Sequence, residues 1–186
     1  MSTSTATPSA VTTWNIDPAH SAAEFKVRHM MIAHVRGAIR GLKGRLILDE
    51  ANPANSKVTA SAAIDTLNTG EPQRDAHLKS ADFFEAEKYP EITFESTAVK
   101  PSGGGEFEVK GNLTIRGVTR PVTFAVEGLS APSKDPWGNL RIGVAAAAKI
   151  NRKDFGLTWN AALESGGVLV GDEVALTIDA QFIQAT

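Results

Sequence analysis

From Trp14 onward, apolar and polar residues alternate with a period of two over most of the chain. Phe25, Val27 and His29 fall on one face while Glu24, Lys26 and Arg28 fall on the other. Val58, Ala60, Ala62 and Ile64 oppose Lys57, Thr59, Ser61 and Asp65, and Ile92 and Phe94 oppose Thr93 and Glu95. The second half repeats the pattern through Phe107–Ile115, Val122–Val126, Ile142–Ile150 and Val174–Phe182. Such alternation predicts half-buried antiparallel strands with one wet face. Turn chemistry separates them: Asn52-Pro53 with Asn55, Pro101–Gly105 and Asp135–Asn139. The run Ala145–Ala148 could be helical by itself, but Arg141–Val144 and Lys149-Ile150 alternate on either side, so a strand is expected there too. No internal repeat or linker interrupts the series, and one all-β domain spanning 13–186 follows.

One stretch breaks the pattern. Gln73-Arg74-Asp75-Ala76-His77-Leu78-Lys79 leads through Ser80-Ala81-Asp82 into Phe83-Phe84, and Tyr89-Pro90-Glu91-Ile92-Thr93-Phe94 returns to strand. This predicts an amphipathic helical insert around residues 72–86. The two phenylalanines are a large apolar surface that needs burial. A barrel stoppered at one end by a short helix would bury it and leave an interior that a lipid can occupy. The first dozen residues, 1–12, are Ser, Thr, Ala and Pro with little else, and are expected to be a disordered tail.

The inward faces carry small residues at Ala60, Ala62, Ala146 and Ala148. A barrel of about eight strands either fills its interior with side chains or holds a ligand. Alanines at the wall suit a ligand cavity; alanines interdigitated with aromatics suit a solid core. The pattern alone leaves both open.

Composition narrows the function. A formal net charge of -2 with both signs interspersed gives no basic footprint for nucleic acid. The lack of cysteine removes disulfides and thiolate chemistry. No stretch approaches the roughly 20 apolar residues of a membrane-spanning helix, and residues 1–10 lack the basic and apolar regions of a secretory signal. A cytoplasmic protein is therefore expected.

Among polar candidates, His20, His29, His34 and His77 form no metal-binding spacing, and no metal or required cofactor is expected. His29 lies on an apolar face, as a hydrogen-bonded core histidine or, at the end of a cavity, a partner for a polar head group. Arg74 and Asp75 are expected to cap the insert's helix and anchor it to neighbouring strands. Asp75 and His77 fall on different helix faces, and no Gly-x-Ser-x-Gly elbow supplies a nucleophile. Asp154 and Gly156 suit a tight turn with Phe155 tucked beneath. Trp137 and Trp159 sit on or near loops as rigid amphipathic rings.

These segments together resemble the YceI-like family, bacterial lipocalin-like proteins that bind polyisoprenoids. The matching pieces are Trp14-Asn-Ile-Asp-Pro-Ala-His-Ser21, Glu24-Phe-Lys-Val-Arg-His29, Val35-Arg-Gly37 and Gly44. They continue with Arg74-Asp-Ala-His-Leu-Lys-Ser80, Asp82-Phe-Phe84, Tyr89-Pro-Glu-Ile-Thr-Phe94, Gly111–Pro121 and Asn151-Arg-Lys-Asp-Phe-Gly-Leu157. The resemblance implies an extended antiparallel eight-stranded lipocalin-like barrel whose apolar channel holds a long amphiphile. It matches Phe25, Val27 and His29 to the first inward strand, Phe83, Phe84, Ile92 and Phe94 to an aromatic segment, and Phe155 to the turn after a late strand. Ile39 and Leu42 stand where relatives commonly carry phenylalanine, a change that reshapes the channel.

The expected function is non-enzymatic carriage or sequestration of an apolar chain-like small molecule: a polyisoprenoid, an isoprenoid quinone or a fatty-acid derivative. The expected contacts are Phe25, Val27, His29, Ala60, Ala62, His77, Phe83, Phe84, Ile92, Phe94, Ala146 and Phe155. The alternative is an enzyme acting on a lipid head group, with His29, His77 or Arg152 at the barrel mouth. A homodimer anchored by Trp137 is expected as well, since several relatives pair; Trp137 folded over its own barrel mouth would instead give a monomer.

Overall fold

The computed structural model describes residues 11–186. Val11 and Thr12 already belong to a strand, because Val11–Ile16 (β1) hydrogen-bonds with strands on both sides. The expected 1–12 tail is thus too long by two residues, and its remainder lies outside the described residues. A turn at Pro18–His20, capped by the Asp17 carboxylate, leads into Ala22–His29 (β2). Ala33–Arg40 (β3) and Lys43–Asp49 (β4) return antiparallel. Then come Lys57–Ala63 (β5), the helix Pro72–Lys79 (α1), Glu91–Gly103 (β6), Glu106–Ile115 (β7) and Val118–Glu127 (β8). The short Ser133–Lys134 (β9), Leu140–Asn151 (β10) and Val170–Gln184 (β11) complete the sheet.

Ten of the eleven segments form eight barrel staves, and the two-residue β9 pairs only with the start of β10. β1 and β2 both pair with β11 and act as one strand bent at Pro18–His20. β3 and β4 likewise form one strand bent at Gly41-Leu42, β3 pairing with β2 and β4 with β1. The meander runs on through β5, β6, β7, β8 and β10, and β10 pairs with β11 to close an antiparallel barrel.

The bend opens a flank. β4 stays paired with β5 as far as Lys43 and Ser61, but β3 diverges and hydrogen-bonds instead with Asn68 through Ala38. The 64–90 connection fills the gap, which is why a helix interrupts an all-strand chain. α1 is shorter than the expected insert. It ends at Lys79, where the Ser80 hydroxyl and N–H both donate to the His77 carbonyl, so Phe83 and Phe84 lie in the turns that follow. Its N-cap is Glu71, which accepts from the Gln73 N–H. Arg74 and Asp75 also act differently from expectation. Both bind Thr69 in the preceding loop, Asp75 accepting from its N–H at 2.8 Å and Arg74 donating to its hydroxyl and carbonyl oxygens. They lock the loop to the helix rather than the helix to a strand.

Two packed regions enclose the interior. Trp14 (2% exposed), Ile142, Phe182 and Leu48 belong to one, with Ile39, Leu42 and Ile64. Phe83, Leu113, Ile115, Phe124, Phe155 and Leu157 form the other, at the α1 side. Between them the inward side chains of β2, β6 and β10 reach only half burial, alternating with exposed residues. Inward faces that water can still reach mark a barrel whose middle is open.

Candidate functional site

The open middle is a cavity of about 690 Å³, within the range of small-molecule sites. With about 30 Å³ per water-sized group, it takes on the order of twenty such groups. Its wall is built by the period-two register. Phe25 and Val27 come from β2, Val58, Ala60 and Ala62 from β5, Ile92 and Phe94 from β6, Val144 and Ala146 from β10, and Leu176 and Ile178 from β11. The floor includes Ile16, Leu46 and Phe182.

Small residues hold it open in two ways. Ala60, Ala62 and Ala146 leave volume that larger side chains would fill, and glycines let aromatic rings lie flat on the wall. A Cβ on Gly37 would sit 2.4 Å from the ring of Phe25, its cross-strand partner. At Gly111, which faces Ser96 across the ladder, an added Cβ would sit 2.4 Å from both the Phe94 ring and the Glu95 carbonyl oxygen. Glycine here permits close approach rather than an unusual turn. Phe94 also meets Phe124 edge-on at 5.2 Å. Ala148 points inward but packs with the second core region and is absent from the cavity wall.

Polar groups gather at one end. Gln73, Arg74 and His77 reach the wall from α1, His29 from β2 and Arg152 from the turn after β10. His77 is wedged edge-on between Phe83 (5.1 Å) and Trp159 (4.7 Å), with Nε2 2.8 Å from the Asp82 carboxylate. That cluster ties the α1 segment to the β10–β11 connection. His29 is not the hydrogen-bonded core histidine of one expectation: it is half-buried at the cavity wall, and no hydrogen bond engages its ring among the described residues.

Arg152 lies at this end but is not free to act on a substrate. It is 4% exposed, and its guanidinium donates to the carbonyls of Leu157, Trp159, Gly171 and Val170 at 2.7 to 3.3 Å. Burial pulls its pKa below the usual guanidinium range, partly offset by Asp172; it stays charged. The side chain therefore fixes the long β10–β11 connection. Its sequence context, Asn151–Leu157, was legible as a turn; the carbonyl cluster it serves comes from residues up to nineteen positions away.

All twelve side chains expected from the sequence lie along this one cavity. Sequence patterning did not reach Gln73, Leu176, Ile178 and Trp159 as wall residues. The first is an unremarkable helix polar residue, and the others become wall only through the closure of β10 on β11. At the opposite end, Arg141 bridges Asp17 (2.5 Å) and Asp135 (2.7 Å). The Arg141 and His20 hydrogen bonds hold Asp17 down to about 2. Asp135 in turn caps the hairpin that carries Trp137, which stands 81% exposed rather than folded over the barrel.

Among the described residues, no three His, Asp or Glu side chains converge as metal ligands, and no helix is long and apolar enough to cross a membrane. The fold and the cavity define a closed antiparallel barrel with an apolar, ligand-sized interior. Residues 14–182 match the family model described as YceI-like domain, and the chain belongs to that family. Protein YceI of Salmonella newport is 36% identical over 165 residues, covering 89% of this chain and 82% of the relative. BcnA of Burkholderia cenocepacia superposes with a TM-score of 0.75 at 23% identity, over 92% of this chain and 99% of that one. A polyisoprenoid binding domain from Saccharophagus degradans superposes with a TM-score of 0.65 at 16% identity, over 95% and 100%.

Proposed function

We propose that this protein binds a long apolar amphiphile in the barrel interior and carries or sequesters it without chemical change. The observation that carries the reading is the 690 Å³ cavity with its almost wholly apolar wall and polar groups at one end. Phe25, Val27, Ala60, Ala62, Ile92, Phe94 and Ala146 contact the chain, with Phe83, Phe84 and Phe155 along the α1 side. His29 and His77 stand where a head group would emerge. Burial alone supplies the affinity, at about 0.8 kcal/mol per methylene, so selectivity is loose along the tail and set by length and head group. The polyisoprenoid-binding name of the Saccharophagus degradans domain supports a polyisoprenoid, an isoprenoid quinone or a fatty-acid derivative as the ligand class.

Binding without turnover is supported by the site's polar groups. His77 is engaged by Asp82, Arg152 is spent on backbone carbonyls, and no hydroxyl hydrogen-bonds either His29 or His77 among the described residues. A solvent extract and native mass spectrum of the purified protein test the reading. Co-purifying lipid, or saturable uptake of a polyprenyl probe, is expected; the absence of both would refute the proposal. Turnover of a lipid head group abolished by His77→Ala, with the fold intact, would replace it with the enzyme reading. A homodimer anchored by Trp137 belongs to the same proposal, supported by the ring's exposure on a braced hairpin. Light scattering at micromolar concentration checks it, and a strict monomer removes it.

A further inference from the structure

The hairpin between β2 and β3 ends in Met30-Met31-Ile32, at the end of the barrel where the cavity's polar groups gather. Met30 and Met31 both have positive φ, 51° and 63°, a left-handed backbone ordinarily left to glycine. Arg28 holds that turn by donating from Nε and a terminal nitrogen to the Met31 carbonyl at 3.3 and 3.0 Å. The turn leaves three large apolar side chains in water: Met30 and Met31 are exposed, and Ile32 is 80% exposed. Val168, also exposed, lies beside them, since Met31 Cγ is 3.3 Å from where a Cβ on Gly167 would stand. The patch runs directly into the cavity rim on both chain segments. His29 precedes Met30, Leu169 and Val170 follow Val168, and all three line the cavity.

A basic half-collar backs the tip on its β2–β3 side, the other flank being the 161–168 turn with Glu164. Lys26, Arg28, His34 and Arg36 share the outer face of β2 and β3, where Lys26 sits directly across from Arg36 and Arg28 from His34. Like charges directly opposite one another destabilise a sheet, so the fold retains this arrangement against its own stability. Partial desolvation and the charges of Lys26, Arg28 and Arg36 together hold the His34 pKa below its ordinary value. The acids of the adjoining strand do not cancel the collar, because Asp172 pairs with Arg152 and Lys153, and Glu173 with Lys149. Glu24 lies farther from the tip, across from Ala38.

We propose that this end of the barrel docks on an anionic lipid bilayer. The Met30–Ile32 tip and Val168 enter the interface while Lys26, Arg28 and Arg36 meet anionic head groups, and the cavity opens toward the membrane. Apolar side chains that insert shallowly, backed by cations, are the interfacial binding mode. Methionine suits fluid acyl chains because its unbranched side chain adapts to them. The docking surface stands apart from the lipid-channel reading, although a portal facing the bilayer gains its purpose from that reading.

Co-sedimentation of the full chain with vesicles tests it, using equal parts phosphatidylglycerol and phosphatidylcholine against phosphatidylcholine alone. Binding to the mixed vesicles is expected, falling steeply at about 1 M salt, where the Debye length is about 3 Å. Ile32→Asp and, separately, Lys26→Glu with Arg36→Glu should each weaken it at least tenfold, each cation at an anionic surface contributing roughly fivefold. Ile32 is too exposed for its replacement to unfold the barrel, and unchanged thermal unfolding verifies this. Absence of binding to the mixed vesicles, or equal binding by Ile32→Asp, overturns the proposal. So does a lipid-free dimer that Ile32→Asp disperses, which would assign the patch to a second copy of the chain. The vesicle assay needs no polyprenyl ligand, so lipid uptake without vesicle binding refutes only the docking, and vesicle binding without uptake refutes only the channel reading.

Discussion

Ala146→Phe separates a ligand channel from a solid core. Ala146 projects inward from β10 between Ile178 of β11 and Val126 of β8, and its side chain lines the cavity. The phenylalanine ring would enter the 690 Å³ of open volume and take the place of about five ligand methylenes. At about 0.8 kcal/mol each, roughly 4 kcal/mol of ligand burial is lost, a decrease in affinity of nearly 10³-fold. The empty protein should hold its stability, because the ring meets space rather than packed atoms. In a filled core the same change would overpack and cost about 1–3 kcal/mol, a fall of several degrees in Tm for a chain of this size. Titration with a fluorescent polyprenyl probe and thermal unfolding of the delipidated protein supply the two readings. A variant that unfolds several degrees lower yet binds the probe as tightly as the wild type would refute the reasoning at this position.

Gly37→Ala should cost about 1–3 kcal/mol, because its Cβ would stand 2.4 Å from the Phe25 ring and 2.9 Å from Thr69 Cγ2. A double-mutant cycle with Phe25→Ala should show strong coupling, and simple additivity would refute the contact. Arg152→Leu leaves the carbonyls of Leu157, Trp159, Val170 and Gly171 without their donor. About 3 kcal/mol should be lost in urea unfolding, and an unchanged midpoint would remove Arg152 as the brace of the connection. Asp17 is depressed from 3.8 to about 2 by its Arg141 and His20 hydrogen bonds. Its stabilisation is therefore full above about pH 4 and disappears as pH falls toward 2, on the order of 1 kcal/mol after solvent screening. Asp17→Asn should lose that amount at pH 6 and converge on the wild type near pH 2; a constant gap down to pH 2 would contradict the ion pair.

Period-two alternation determined most of this architecture by itself, because a strand's side-chain periodicity follows from backbone geometry alone. Phe25, Val27, Ala60, Ala62, Ile92, Phe94 and Ala146 fell on inward faces wherever their strands paired, and all line the cavity. Alternation could not say whether those faces met or stood apart. That depended on barrel closure between β10 and β11, on the bend that parts β3 from β5, and on glycines that let Phe25 and Phe94 lie flat. The helix limits and the partners of Arg74, Asp75 and Arg152 escaped sequence reading for a related reason. Their acceptors and donors are loop backbone and neighbouring side chains whose positions exist only once the chain has turned. Local periodicity is written residue by residue, whereas an apolar cavity and a guanidinium held by backbone carbonyls are properties of segments brought together from distant parts of the chain.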